Sequence, residues 1–182
     1  MNNWLYRLRL FFFKRALHKR NPLSQNTPSA QIVRPHHILL LHHLSEHGDA
    51  QKLHDFIQKI QSPQSTLTTV LYCNVSKPMA LPKSHCITPA DLKWNLVPRP
   101  AIAQPILQQS YDLLINLAPA MIPPLHYIAL HANAQLKIGL YTSSEPLYDL
   151  TIDIAHQRQT NYPSIVYEIL RQLSVRTEKD LR

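Results

Sequence analysis

Glycine is nearly missing from this sequence: Gly48 and Gly139 are the two in 182 residues. Loops that cradle phosphates need several glycines, because the backbone must approach the phosphate closely and adopt positive φ. A Walker A loop, a GxGxxG fingerprint and a GxSxG elbow are all absent, which removes the common routes to nucleotide binding and serine hydrolysis. Cysteine is scarce too, and Cys73 and Cys86 form no CxxC pattern. With no secretory signal, both read as reduced thiols of a cytoplasmic compartment, Cys73 as a small core residue. Long apolar runs are missing as well. The run at 10–13 is far too short to span a bilayer, and no small-residue cleavage site follows it.

Acid is absent from one end. Residues 1–20 hold six basic residues (Arg7, Arg9, Lys14, Arg15, Lys19 and Arg20) and no Asp or Glu. Removing them from 19 basic and 11 acidic residues leaves 13 against 11, so the body is close to neutral. Such a distribution argues against a nucleic-acid surface spread across the fold and points to one local anionic partner. The 45% hydrophobic and 16% charged fractions are those of a globular chain.

Four regions are expected: a basic amphipathic helix at 1–20, a polar, proline-containing linker at 21–31, an α/β domain at 32–175 and a charged tail at 176–182. On the helix, Leu5, Leu8, Phe12 and Ala16 share a face, with Trp4, Tyr6 and Phe11 beside it. A basic aromatic helix of this kind suits an anionic membrane interface. It also suits RNA or an acidic protein surface. The plainer reading is that the aromatics pack on the body and the charges are solvated.

Within the domain, apolar runs alternate with helical patterns. Strands are expected at 38–44, 67–72, 85–88, 112–117, 136–140 and 150–154. Helices are expected at 50–61 (capped by Asp49), 101–110, 124–132 and 162–173, with a single turn after Thr88. Alternation of this kind gives an α/β class, mainly parallel, Rossmann-like, of about five or six strands with helices on both faces.

The chain is organised around two near-copies of one phrase, Tyr111-Asp112-Leu113-Leu114-Ile115-Asn116 and Tyr148-Asp149-Leu150-Thr151-Ile152-Asp153. Ligands of open parallel sheets sit at the carboxyl ends of strands. By that rule Asn116 and Asp153 are the rim candidates, with Tyr141 and the 119–124 loop near them, while Asp112 and Asp149 serve hydrogen bonding. Gly139 meets a backbone need, either positive φ or close approach. Lys137 is expected to snorkel or face solvent. His36, His37, His42, His43, His47 and His54 crowd one stretch. Adjacent strand residues point to opposite faces, so partly exposed strand-end histidines are expected and no metal site or cofactor.

The two Tyr-Asp phrases, the intervening stretch from Pro124 to Gly139, the Asp91-Leu-Lys-Trp94 phrase and the basic N-terminal helix together resemble a Bacteroidetes family of small proteins of unknown function. That resemblance implies a compact α/β protein and brings no catalytic residues. A more distant resemblance is to the N-terminal half of heptosyltransferase-like glycosyltransferases, which also read Tyr-Asp, apolar strand, helix, Lys/Arg-Ile-Gly. The sequence carries about one such half. Three functional readings therefore stand: docking to an anionic surface, with a membrane favoured over RNA or a ribosomal surface; a small-ligand or glycosyltransferase-like site at the rim; and an assembly partner, marked by an exposed apolar patch. The absence of a catalytic constellation leans the sequence away from an enzyme.

Overall fold

The computed structural model describes residues 3–17, 35–44, 47–73, 84–140, 147–152 and 164–171. Lys19, Arg20, the linker, Tyr141, Asp153 and the tail lie outside them. The described elements are α1 (Asn3–Leu17), β1 (His37–Leu44), α2 (His47–Ile60), β2 (Thr66–Cys73), β3 (Ser84–Ile87), a 3-10 turn (Pro89–Asp91), α3 (Pro100–Leu107), β4 (Ser110–Asn116), α4 (Pro123–His131), β5 (Asn133–Gly139) and β6 (Leu150–Thr151). A further helix, α5, covers residues 164–171.

Six strands form one sheet in the order β3-β2-β1-β4-β5-β6, and every pairing is parallel. This is the doubly wound Rossmann order, with the chain reversing direction across the sheet between β1 and β4. β1 is apolar on both faces because both faces are covered. Leu39 and Leu41 enter one core with Phe13 and Leu17 of α1, Ala103 and Ile106 of α3, and Leu125, Ile128 and Ala129 of α4. Ile38, Leu40 and Leu44 enter the other, with Leu53 and Phe56 of α2 and Val166 of α5.

The paired Tyr-Asp phrases build the sheet. Asp112 Oδ2 accepts the amide N–H groups of His36 and His37 at 2.7 and 3.0 Å, so β4 holds the start of β1. Asp149 Oδ2 accepts the Lys137 amide at 2.7 Å, and the Asp149 amide donates to the Lys137 carbonyl at 2.9 Å, so the lead into β6 is tied to β5. The tyrosines brace what surrounds them. Tyr111 donates its hydroxyl to the Ile106 carbonyl of α3 at 2.9 Å, and burial pushes its pKa up. Asp112→Ala is expected to lower stability by about 1–2 kcal/mol, since two backbone donors lose a charged acceptor at a partly solvated site. Urea denaturation measures it.

Gly139 answers a close approach, not a positive φ. A Cβ built there lies 2.6 Å from the ring of Tyr148. That ring cannot swing away freely, because its hydroxyl accepts the Asn116 amide N–H at 2.6 Å. Gly139→Ala should therefore cost about 1–3 kcal/mol by overpacking, read as a lowered denaturation midpoint.

Several local expectations change. α2 begins at His47, so Asp49 lies inside its first turn and does not cap it. Ser110 opens β4 rather than ending α3. Lys137 does not face solvent. Its Nζ donates to the Ala129 and Leu130 carbonyls at 2.8 and 3.4 Å, satisfying open carbonyls at the C-terminal end of α4. Burial lowers its pKa, against the pull of Asp149. His42 is buried and not a partly exposed strand-end residue.

Candidate functional site

α1 contains neither glycine nor proline, so nothing interrupts its helix. Leu10, Phe13 and Leu17 recur at helical spacing, and this stripe faces the body. Phe13 is 0% exposed, Leu17 is buried, and Leu10 and Ala16 are packed against the same core. The Phe13 ring meets His126 of α4 edge-on, with centroids 6.3 Å apart. Arg9 Nε donates to the Trp94 carbonyl at 2.6 Å, and the rings of Phe12 and Trp94 lie 4.8 Å apart, edge to face. Beneath the helix, burial raises the pKa of the Tyr72 hydroxyl; Tyr6 adds to the rise and Arg9 opposes it.

The sequence leaves the orientation of the helix open, and the structure sets it. Leu5, Leu8 and Phe12 are exposed, while Phe13 and Leu17 point in. Both sides of the helix carry large apolar residues, so periodicity alone cannot choose between them. The Phe13–Leu17 stripe is the one that packs into the core it shares with Leu125, Ile128 and Ala129 of α4.

The outer side is unusual. Among the described residues, the exposed large hydrophobic side chains are Trp4, Leu5, Tyr6, Leu8, Phe11, Phe12 and Trp94. All but Trp94 are on α1, and Trp94 meets Phe12 of α1 edge to face. Trp4 is 62% exposed and Phe11 and Trp94 are 60% exposed. Arg7, Lys14 and Arg15 are exposed on the same helix, which carries no acid. An apolar patch of aromatic and aliphatic groups flanked by cations is thus held out on a helix whose other side is core.

The rim candidates fare differently. Asn116 ends β4 beside the switch point and is buried. Its Oδ1 accepts the Ala118 amide N–H at 3.0 Å and its Nδ2 donates to the Tyr148 hydroxyl, so the side-chain amide fastens the strand end. Of the expected 119–124 loop, Pro123 and Pro124 instead open α4 and are buried. Among the described residues, no three His, Cys, Asp or Glu side chains converge on a point where a metal would sit. Cys73 is buried, and the Cys86 thiol donates to its sulfur at 2.8 Å. Burial, then that bond, pushes the Cys86 thiol up to about 12, which keeps it protonated at neutral pH and a poor nucleophile. Among the described residues, no helix is long and apolar enough to cross a membrane.

Fold and surface together define a doubly wound parallel α/β protein that lacks a glycine-rich loop and carries a docked basic, aromatic helix on one face. The chain belongs to a family of unknown function (DUF6913), whose model matches residues 8–173. The match takes in the buried end of α1, the whole sheet and Trp94. No curated protein and no solved structure matches the chain.

Proposed function

We propose that the protein docks peripherally on an anionic membrane surface, with α1 lying in the plane of the interface and its outer side in the headgroup region. One observation carries this reading: Trp4, Leu5, Leu8, Phe11 and Phe12 are exposed on the side of α1 away from Phe13 and Leu17, next to exposed Trp94, beside Arg7, Lys14 and Arg15 and no acid. Tryptophan, tyrosine and basic residues are the groups that favour the boundary between headgroups and acyl chains, and exposed leucine and phenylalanine gain by leaving water there. RNA would draw on the same cations, but Leu5 and Leu8 offer a base neither stacking nor a hydrogen bond. An acidic protein groove is the other occupant that the cations allow. Lys19 and Arg20 follow directly in sequence and add to the same positive charge. The site of action is then the cytoplasmic face of a membrane.

A ligand at the switch point has one supporting feature, the strand order, which nucleotide- and sugar-nucleotide-binding folds such as the heptosyltransferase-like enzymes share. The engaged Asn116 amide, the buried Pro123 and Pro124 at the start of α4 and the missing glycines favour docking over it.

The test uses the full chain, because deleting α1 would strip Phe13 and Leu17 from the core. Co-sedimentation with neutral phosphatidylcholine vesicles and with vesicles containing phosphatidylglycerol should show strong preference for the latter. Equal binding to both, or binding to neither, would sink the proposal. Filter binding to RNA over a salt series should show weak, non-saturating retention; tight, salt-sensitive binding would move the assignment to RNA.

A further inference from the structure

The loop that carries Trp94 is built to present it. At its base, the Asp91 carboxylate accepts both the amide and the hydroxyl of Thr88, at 2.8 and 2.7 Å. The Asp91 carbonyl accepts the Arg99 amide at 2.9 Å. Leu92 and Pro98 form an antiparallel bridge. Inside that bridge the Lys93 amide donates to Val97 at 2.8 Å and the Leu96 amide donates to Lys93 at 3.0 Å. Leu92, Leu96 and Val97 are buried. Leu96 also adopts a φ of 65°, the one positive value among the described residues. A leucine pays for that conformation, and it persists because its side chain is anchored in the core.

The tip of this fastened turn is Lys93-Trp94-Asn95, with Lys93 and Trp94 exposed. The loop adds Leu92, Leu96 and Val97 to the core, but an indole held 60% exposed adds little to it. The indole lies against Phe12, and its backbone carbonyl is bonded to Arg9. Loop and helix therefore form one surface.

We infer that Trp94 is a second insertion residue of the docking face, entering the headgroup boundary of an anionic phospholipid bilayer together with the outer side of α1, with Lys93 beside it toward the phosphates. This rests on the docking reading and adds to it. Two insertion points, one on the helix and one on the loop, fix how the domain is tilted on the surface, where a helix alone leaves it free to roll. An indole suits that depth, because its ring is apolar and its N–H still reaches a lipid carbonyl.

The chain offers its own probes, since Trp4 and Trp94 are its two tryptophans. In the full-length Trp4→Phe variant, Trp94 is the sole indole. Measurements are made with phosphatidylglycerol-containing vesicles at lipid concentrations where co-sedimentation shows the variant bound. Trp94 emission should then move to the blue, and its quenching by aqueous acrylamide should fall at least about twofold. Trp94→Ala should weaken vesicle partition about tenfold and leave thermal unfolding in place, because the bond from Arg9 is to the backbone. If Trp94 emission and quenching stay unchanged in the bound state, or if Trp94→Ala partitions as the parent does, while Trp4 in the Trp94→Phe variant responds, this inference is overturned and the docking of α1 stands. Failure of every variant to sediment overturns both. A lipid-independent dimer that Trp94→Ala dissolves, without vesicle binding, assigns the face to a second copy of the chain and also overturns both.

Discussion

Phe13→Ala is expected to lower stability by about 3–5 kcal/mol, the range for removing a fully buried aromatic ring from a packed core. Phe13 is 0% exposed and belongs to the core cluster that includes Leu39 and Leu41 of β1 and Ile128 of α4. A domain of this size has roughly 5–15 kcal/mol in total, so the loss is a large share of it. Phe11→Ala, on the opposite side of the same helix and 60% exposed, should change stability by no more than about 0.5 kcal/mol. Guanidinium denaturation of the two variants separates a helix that is part of the fold from an appended basic tail. A tail would leave both near the parent value. For the same reason, deleting residues 1–20 tests folding before it tests docking.

Reversing Arg7, Lys14 and Arg15 to glutamate should weaken partition onto anionic vesicles by more than about 100-fold. Each cation near an anionic surface contributes about 1 kcal/mol, and reversal replaces an attraction with a repulsion. All three side chains are exposed, so the folded state should keep its denaturation midpoint within about 0.5 kcal/mol. Raised salt should weaken the parent on anionic vesicles, because it screens charges separated by more than a few ångströms of water. A companion pair, Trp4→Ser with Phe11→Ser, should weaken binding through the apolar contribution and leave the salt dependence in place. Unchanged partition in the charge-reversed chain would mean that charge plays no part in what this face binds.

Much of the architecture was legible in the sequence because burial on two faces leaves continuous apolar runs, as in β1, and these need covering helices on both sides. The alternation of strand and helix then gave the parallel class. Leu125, Ile128 and Ala129 recur at helical spacing within the expected 124–132 helix, and all three are fully buried. Asp112 and Asp149 were placed at the amino ends of their strands, where hydrogen bonding outweighs chemistry, and both accept backbone amides. Strand order was not legible, since nothing local in β4 says that it pairs with β1.

The orientation of α1 was not legible for a physical reason. A helix with apolar groups on both sides has no single periodic stripe, and the buried side is chosen by the shape of the body. Lys137 does not face solvent because its target is a set of carbonyls at the end of α4, adjacent only after folding. In the sequence, Trp94 stands out only as the end of the Asp91-Leu-Lys-Trp94 phrase. Its role depends on the buried Leu96 holding an unfavourable φ and on Phe12 arriving from about eighty positions away, which no window of sequence displays. Of the two rim candidates, Asn116 turned out to brace Tyr148, a pairing set by the close approach of the Tyr148 ring to Gly139.

The central claim is that one side of α1 is core and the other is a docking surface for an anionic membrane. Hydrogen exchange by mass spectrometry, on the full chain alone and with phosphatidylglycerol-containing vesicles, addresses both halves at once. In the free chain the amides from Leu8 to Leu17 should exchange far more slowly than an unstructured peptide of that sequence. With vesicles, further slowing should be confined to α1 and the 92–98 loop, and the sheet should be unchanged. Peptide-like exchange of α1 in the free chain, or vesicle-induced protection that falls elsewhere on the molecule, would contradict the claim.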